Sequence, residues 1–491
     1  MSDVGYFNSV SANLKTGVAQ TEEIADGVKA NSAAEVLPSM NALDTDIKAG
    51  TAISGLTEDF SDGITISRTT LLIGAGTPLD LSLPENTVPP STADITKAVC
   101  EPYRNFMDEK RPIKIVQDIY DRLMAVYPPK KNPFLCEAPK PFIHFEHLFH
   151  VLEMLDSYHW VWRGICKNEA IFPIFAPFTK PDFDFDGSVL HSVLDNFVLR
   201  IMDIITQYND YYNQKLPEHD WYRNFYLRFK AASDFFILNY DTTIEQTIEE
   251  YEDGYESDGI QDKFLRFNPH RLLNNPNGLS TINHLHGCIN YYFSTYKDSN
   301  RDVYTFLSRD LYKYLDYATV RGLMVGRGQS SPANQSGETY KAAPIITGLR
   351  KLDKLNCIPF DFYHSNLVNC LIRNHKLIIS GYSFGDSYCN QLIERMRYIH
   401  GERIRIVLID KWNIPIEDRC HAGYWLKNEL GMFLCKITMC STFDSVIEEL
   451  YKNENTSSGA LISNNCNLMV FPNGFKHAAK HVDEIETFLN S

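Results

Sequence analysis

The sequence predicts an α/β fold: a Rossmann-like parallel sheet with a large helical insertion and an N-terminal appendage. Two observations carry this prediction. Short apolar runs bounded by turn residues alternate with segments whose apolar residues recur at helical spacing, which favours a parallel sheet covered on both faces. The first run, residues 69–73, leads directly into a turn with two glycines, and a strand followed by a glycine turn is typical of nucleotide-binding sheets.

The individual elements follow from the same patterns. Apolar, turn-bounded runs predict strands at 69–73, 234–238, 281–285, 376–380, 403–409 and 468–471. Helical periodicity predicts helices at 112–126, 144–163, 187–214, 221–232, 242–252, 387–399 and 476–489. The broad apolar stripe of the third of these helices predicts a core helix. Two stretches rich in turn-forming residues, 251–280 and 326–344, predict long surface loops.

Composition divides the chain into three regions. Residues 1–67 contain no arginine, three lysines and ten acidic residues, so we expect an acidic appendage for oligomerisation or partner binding, with disorder as the alternative. Residues 68–450 are expected to hold the sheet, with the helical insertion at about 100–232. Residues 451–491 predict a C-terminal strand–helix extension.

The composition also excludes several classes of protein. The 62 acidic and 47 basic residues give a formal net charge of −15, which disfavours direct binding of nucleic acid. No apolar run is long enough to span a membrane, and the first residues lack the pattern of a secretory signal. The eleven cysteines form no Cys-x-x-Cys pair, so we expect reduced thiols, a cytoplasmic protein and no bound metal.

The turn Gly74-Ala75-Gly76-Thr77 follows the first predicted strand. Two glycines let backbone N–H groups approach a phosphate closely, and the start of a helix would favour the negative charge. Gly-x-Gly also occurs in ordinary turns, so both readings stay open for this motif alone.

Asn239-Tyr240-Asp241 follows the second predicted strand. Polar residues at the carboxyl end of a parallel strand point into the ligand crevice of the sheet. Asn and Asp are also common helix caps, so these residues either bind a ligand or cap the helix predicted at 242–252.

His284-Leu285-His286-Gly287 ends the third predicted strand, and on a strand the two histidines would share a face. A histidine in this position is suited to general acid–base catalysis near neutral pH, and the alternative is a hydrogen-bonded structural histidine. No third ligand follows at a recognisable spacing, so we predict no metal site here.

Two further turns complete the set. Gly381-Tyr382-Ser383 follows the fourth predicted strand and Asp410 follows the fifth. A carboxylate in the position of Asp410 can accept hydrogen bonds from a ribose diol, as in dinucleotide sites. Five polar turns at five strand ends indicate a nucleotide site more strongly together than singly.

In this order, the motifs of residues 69–410 resemble those of the sirtuin family, in the divergent branch found in bacterial antiphage-defence proteins. The resemblance rests on Gly74-Ala75-Gly76, Pro84, Asn239-Tyr240-Asp241, His286-Gly287, Gly381-Tyr382-Ser383 and Asp410. It implies that NAD is the substrate, that Asn239 and His286 are catalytic, and that Asp410 grips the adenosine ribose. It further implies a carboxamide contact from Asp241 and pyrophosphate contacts from Gly74, Ala75, Gly76, Thr77, Gly381 and Ser383.

The sequence departs from the deacylating sirtuins at three points. Glu85-Asn86-Thr87 stands where those enzymes carry Asp-Phe-Arg, the four-cysteine zinc module is missing, and a large helical insertion separates the glycine turn from Asn239. These departures fit the defence branch, so the resemblance implies hydrolysis of NAD+ to nicotinamide and ADP-ribose during abortive infection. A non-catalytic sensor of NAD or ADP-ribose and an NAD-dependent protein deacylase remain the alternatives.

The resemblance also implies assembly. Relatives in this branch often form homo-oligomers, and some act with an ATPase or helicase encoded alongside. We therefore expect NAD, further copies of this chain and such an ATPase as partners, with no membrane and no direct nucleic-acid contact.

Overall fold

The computed structural model describes residues 68–81, 89–105, 108–126, 143–157, 190–215, 220–257, 264–298, 303–324, 340–349, 351–412, 428–455 and 457–491. All of them belong to one of the chain's two units, Ile66–Ser491. The appendage at 1–67, Pro84, Glu85-Asn86-Thr87 and most of the predicted loop at 326–344 lie outside the described residues.

A seven-stranded, mostly parallel sheet organises the described part of the chain. In chain order its strands are β1 (Thr69–Ile73), β2 (Ser233–Ile237), β3 (Thr281–His284), β4 (Lys376–Ser380), β5 (Arg405–Ile409), β6 (Leu461–Ile462) and β7 (Leu468–Phe471). In space the order is β6-β7-β5-β4-β1-β2-β3, and β6 alone runs antiparallel to its neighbour in this sheet. The Rossmann-like α/β fold is confirmed, and each predicted strand is present within two residues of its predicted bounds.

The central strand β1 shows why the strand sequences are apolar without interruption. It pairs in parallel with β4 and β2, which places Leu71 opposite Ile378 and Phe235. Leu71 and Ile73 pack into one apolar cluster, whereas Leu72 packs into a second cluster on the other face. Because both faces of the strand are covered, polar and apolar residues have no reason to alternate.

The described residues include fourteen α-helices. In chain order they are α1 (Thr92–Cys100), α2 (Ile115–Val126), α3 (Phe145–Ser157), α4 (Leu190–Lys215), α5 (Asp220–Phe229), α6 (Thr243–Thr247), α7 (Pro269–Asn274), α8 (Tyr317–Met324), α9 (Phe360–Arg373), α10 (Ser387–His400), α11 (Asn428–Thr438), α12 (Phe443–Lys452), α13 (Phe475–Ala478) and α14 (Val482–Leu489). Helices α1 to α5 lie between β1 and β2 in sequence and form the helical insertion. Its longest member, α4, buries the predicted stripe through Leu190, Val193, Phe197 and Ile201.

The prediction of a loop at 251–280 is wrong. This stretch holds α7 and two strands, which join a long hairpin in a four-stranded antiparallel sheet made of Tyr255–Glu256, Phe264–Phe267, Tyr291–Asp298 and Val303–Tyr314. Aromatic packing supports it, because the Tyr255 ring lies 5.3 Å from the rings of Phe267 and Tyr291. The many Asp, Asn and Gly residues of the stretch hid these few apolar positions from pattern analysis.

Among the described helices, none is by itself both long and apolar enough to cross a bilayer; residues Glu429–Thr438 and Phe443–Lys452 pass that test only together, as a pair bent by 62°.

Candidate active site at the carboxyl edge of the sheet

Five sequence motifs lie along one edge of the main sheet, because β1 to β5 are parallel and each motif follows the carboxyl end of one strand. Across the sheet the order is Asp410, Gly381, Gly74, Asn239 and His286. Neighbouring strands are about 4.8 Å apart, so this edge spans roughly 19 Å from the first motif to the last. The order of the strands reverses between β4 and β1, and open α/β sheets bind ligands at such a switch point.

The turns after β1 and β4 touch each other through their glycines. A Cβ on Gly74 would lie 2.5 Å from the carbonyl oxygen of Gly381, and one on Gly76 would lie 2.9 Å from the Cα of Gly381. Gly381 itself has a φ of +58°, in the left-handed region that favours glycine. These glycines therefore allow two turns to pack together, a role that the sequence motif alone did not distinguish from phosphate binding.

Most hydrogen-bonding groups of the first turn are used inside the protein. The N–H groups of Gly74, Gly76 and Thr77 donate to the carbonyl oxygens of Ser380, Gly381 and Gly74. The buried hydroxyl of Thr77 donates to the carbonyl oxygen of Ser380 at 2.8 Å. A four-residue 3-10 helix, Thr77–Asp80, follows instead of a longer α-helix. Ala75 is the exposed residue of the turn, so a ligand would meet this part of the edge mainly at Ala75.

Asn239 lies beside the glycine turn and keeps one polar atom without a partner. Its side-chain amide donates to the carbonyl oxygen of Gly74 at 3.3 Å. Its Oδ1 atom is buried and accepts no hydrogen bond from any described residue. Burying an unsatisfied amide oxygen costs about 1–3 kcal/mol, so this atom favours a ligand or water that donates to it.

Asp241 hydrogen-bonds the first residue of the helix that follows, although the N-cap of that helix is Thr242, whose side chain makes no capping bond. Its Oδ1 accepts from the backbone N–H of Thr243 at 3.1 Å and also from the hydroxyl of that residue. Burial raises the pKa of Asp241, and these hydrogen bonds counteract part of the effect. Helix α6 ends at Thr247, five residues before the predicted end.

The imidazole of His286 contacts an acid to which the sequence analysis gave no role. Its Nε2 atom lies 3.0 Å from Oδ2 of Asp386. Asp386 is the N-cap of α10, and its other carboxylate oxygen accepts from the backbone N–H groups of Tyr388 and Cys389. One carboxylate thus starts a helix and contacts the histidine at the same time.

Burial favours the neutral imidazole of His286, while the groups around Asp386 keep its carboxylate ionised. Burial lowers the pKa of His286, the ammonium of Lys351 lowers it further, and Asp386 and Glu146 act in the opposite direction. Burial raises the pKa of Asp386, but the hydrogen bond from His286 and the positive charge of Lys351 prevail and hold that pKa well below its ordinary value. Neutral imidazole is the form that accepts a proton.

Gly287 lets a second segment reach the histidine. We call residues 340–349 and 351–356 the strap. A Cβ on Gly287, which has a φ of +87°, would lie 2.1 Å from the carbonyl oxygen of Pro344 in the strap. The backbone N–H of Ile346 donates to the carbonyl oxygen of His286 at 2.7 Å, and the hydroxyl of Tyr240 donates to the carbonyl oxygen of Ile346 at 3.0 Å.

His284 belongs to a different environment, because β3 ends at this residue and the shared strand face expected for the two histidines does not form. Its Nε2 lies 2.6 Å from Oε1 of Glu245. Burial alone would lower the pKa of His284, but Glu245 and Cys288 raise it well above its ordinary value. Ligand-type atoms of Glu245, His284 and Cys288 lie within 4.8 Å of one another. The ion pair with Glu245 accounts for the position of His284.

The remaining motifs flank the other end of the edge. Ser383 is exposed in the turn after β4, and Asp410 is half-buried after β5, where its Oδ1 accepts from the backbone N–H of Lys411 at 2.8 Å.

Asp386 and Lys351 were missed in the sequence because the first resembles an ordinary helix cap and the second lies in no regular element. Glu146 sits in an amphipathic helix, and no sequence signal marks it.

A family model described as a SIR2-like domain matches residues 234–429. The match covers β2 to β5 and four of the five strand-end motifs, those of Asn239, His286, Gly381 and Asp410, and it leaves out the glycine turn at Gly74. No curated protein matches the chain in sequence. Residues 234–429 thus carry a SIR2-like domain on a Rossmann-like sheet, which supports the sirtuin-like resemblance and an activity related to NAD.

Proposed function

We propose that this chain is an NAD+ hydrolase that cleaves the bond between nicotinamide and ribose and releases nicotinamide and ADP-ribose. The observation that carries the proposal is the pairing of two groups at the ends of adjacent strands. Asn239 after β2 offers a buried oxygen without a partner among the described residues, and His286 after β3 offers a neutral imidazole. A protein that only binds NAD has no need of a base there.

The reaction needs little acid catalysis from the protein. The C1′–N bond to nicotinamide breaks and its electron pair neutralises the pyridinium nitrogen, while a C1′–O bond to water forms. The water gives up one proton, which we assign to His286. Oδ1 of Asn239 accepts a hydrogen bond from the same water or from a ribose hydroxyl and orients it. A positioned base contributes about a hundred- to ten-thousand-fold to the rate.

The other motifs are assigned to binding the rest of the dinucleotide. Asp410 lies at the far end of the edge and is assigned to the adenosine ribose, so that NAD+ lies across the strand ends. Exposed Ala75 and Ser383 are assigned to the pyrophosphate. Gly74, Gly76, Thr77 and Gly381 shape the floor below it, since their polar groups are largely used inside the protein. Asp241 is assigned to the nicotinamide carboxamide.

The biological role is proposed as that of an antiphage effector that acts in the cytoplasm and depletes NAD during abortive infection. An enzyme that consumes NAD must stay inactive until infection. We therefore propose that activity depends on homo-oligomerisation or on an ATPase or helicase encoded alongside. The family resemblance supports control by assembly. The acidic residues 1–67, which lie outside that resemblance, are the candidate segment for this control.

The test is incubation of the purified chain with NAD+, with nicotinamide and ADP-ribose followed by chromatography. We expect the wild-type protein to release both products and Asn239→Ala and His286→Ala to lose at least about a hundredfold in kcat. Asn209→Ala is the matched control. Asn209 is a buried asparagine whose Oδ1 accepts from Thr242, so its loss should lower stability but spare catalysis.

Other outcomes separate the alternatives. NAD+ that binds without cleavage, with and without the partner ATPase, would overturn the hydrolase in favour of a sensor. Release of nicotinamide only when an acylated lysine peptide is present would identify a deacylase instead.

A further inference from the structure

We propose that Asp386 is the positioning residue of His286, and that Lys351 and Glu146 extend this arrangement into the helical insertion. The chain of contacts starts at the histidine on the main sheet and ends on α3, a helix some 140 residues earlier in the sequence. This inference rests on the proposed function for the role of His286 as a base. It adds the residues that fix which nitrogen of the ring acts.

Asp386 is held in place from several sides. Its Oδ1 accepts from two backbone N–H groups at the start of α10, those of Tyr388 and Cys389, at 3.0 and 3.2 Å. The hydroxyl of Tyr382 donates to the carbonyl oxygen of Asp386 at 2.8 Å. Oδ2 is therefore aimed at His286 by a rigid frame, and the carboxylate is only about one-tenth exposed.

An ionised carboxylate accepts hydrogen bonds but has no proton with which to donate one. The Nε2 atom of His286 must therefore carry the proton in the 3.0 Å contact, and Nδ1 holds the lone pair. Selecting one tautomer and one ring orientation is the role that an acid performs behind a catalytic histidine. Asp386 acts through His286 and needs no contact with the substrate.

Lys351 and Glu146 complete the set of charges. The Lys351 ammonium lies 4.0 Å from Oδ2 of Asp386 and 3.2 Å from Oε1 of Glu146. The groups that face His286 are thus Asp386 at the start of α10, Lys351 in the strap, Glu146 on α3 and His364 on α9. Lys351 favours the ionised carboxylate, and Glu146 holds Lys351.

The insertion also fixes the strap on which Lys351 lies. Glu153, two turns further along α3, is buried and forms an ion pair of 2.8 Å with Lys354. It also accepts from the backbone N–H of Lys341 at 2.9 Å. Helix α3 therefore determines where Lys351 stands relative to Asp386, and the insertion is a component of the active site.

The decisive experiment compares two substitutions of Asp386 that both keep a helix cap. In Asp386→Asn the amide oxygen is needed to cap α10, so the amide NH2 group faces His286. This NH2 group donates to Nε2 and therefore stabilises the tautomer of His286 that carries its proton on Nδ1. We expect kcat to fall by about a hundredfold or more with little change in KM. In Asp386→Ser the cap remains but nothing fixes the ring, and we expect a smaller loss of about tenfold.

Asp316→Asn is the control for helix capping. Asp316 caps α8 through a 2.7 Å hydrogen bond from the N–H of Thr319 and does not face the histidine. We expect its kcat to stay within about twofold of the wild-type value. A purely structural role of Asp386 predicts equal effects of Asn and Ser, so equal losses would overturn the proposal.

The pH profile gives a second readout. Asp386→Asn removes the anion beside His286, so the pKa of His286 falls and the acid limb of the kcat profile moves to lower pH. Lys351→Met removes the cation, so the limb moves to higher pH. Glu146→Gln should lower kcat only about two- to fivefold. The proposed arrangement of charges would be contradicted if the acid limb of the kcat profile did not move in Asp386→Asn and Lys351→Met, or if it moved in the same direction in both.

A titration by NMR separates this inference from the proposed function. The imidazole signals of His286, assigned through His286→Gln, report its tautomer and pKa without any reaction. If the wild-type protein does not cleave NAD+, the hydrolase proposal fails, yet Asp386→Asn must still change the tautomer of His286. An unchanged tautomer would overturn the role of Asp386 even in an active enzyme.

Discussion

A side-chain carbon on Gly381 would lie 2.0 Å from the backbone nitrogen of Thr77. The turns after β4 and β1 therefore meet at a point where only a hydrogen atom fits. This contact closes the sheet edge at its switch point and leaves Ala75 and Ser383 on the exposed side.

Gly381→Ala should therefore destabilise the protein by more than the strain of its backbone. At a φ of +58° alanine costs about 1–2 kcal/mol, and the clash with the turn after β1 adds to this. Gly401→Ala is the matched control, because Gly401 has the same φ and nothing lies within 4 Å of its added Cβ. The free energy of unfolding, measured in urea, should be clearly lower for Gly381→Ala than for Gly401→Ala. Equal values would show that the turns after β4 and β1 can move apart to make room for the added Cβ.

Glu153→Gln should be among the most destabilising charge changes in the chain. It removes the carboxylate that forms an ion pair with the buried ammonium of Lys354, and breaking a buried ion pair costs about 3–5 kcal/mol. Glu448→Gln removes an exposed carboxylate 2.7 Å from Lys452 and should leave the unfolding midpoint unchanged. Thermal melts of both variants test this, and a wild-type midpoint for Glu153→Gln would show that Lys354 is adequately solvated.

The buried pair of His284 and Glu245 makes stability depend on pH. The pKa of His284 is raised in the folded protein. Its contribution to the free energy of unfolding is therefore complete below about pH 6.5 and is lost as the pH rises through the folded pKa. Burial raises the pKa of Glu245, but His284 lowers it by more, so the net shift is downward. The contribution of Glu245 to the free energy of unfolding is therefore lost as the pH falls below about 4.5.

Stability measured by urea unfolding should therefore decline above neutral pH, by up to about 1.4 kcal/mol per pH unit for this group. His284→Gln should flatten that decline, whereas His481→Gln, at a half-exposed histidine, should not. A decline of equal slope in His284→Gln would assign it to other groups.

The main sheet was predictable from sequence because each strand is apolar on both faces and ends in a polar turn. The order of the motifs along the edge was not, since pairing of β1 with β4 and β2 is decided by contacts between residues far apart. The antiparallel sheet was missed because aromatic residues such as Tyr255 and Phe267 pack across the fold, and their spacing within one segment says nothing of this.

The candidate site was predictable where a residue type and a strand end coincide, as at Asn239 and His286. Thr77 was assigned to the ligand although its hydroxyl is buried against Ser380, because sequence spacing does not reveal which way a turn faces. Asp386, Lys351 and Glu146 come from three separate segments, and only the folded chain brings their charges together.

The pairing of β1 also governs how the chain must fold during synthesis. β1 emerges from the ribosome early, but β2 follows more than 160 residues later and β4 more than 300 residues later. Until then this buried central strand has open edges, and species with unpaired strand edges aggregate readily. Folding is therefore expected to be slow and to depend on chaperones, and premature termination before β4 should yield an insoluble product.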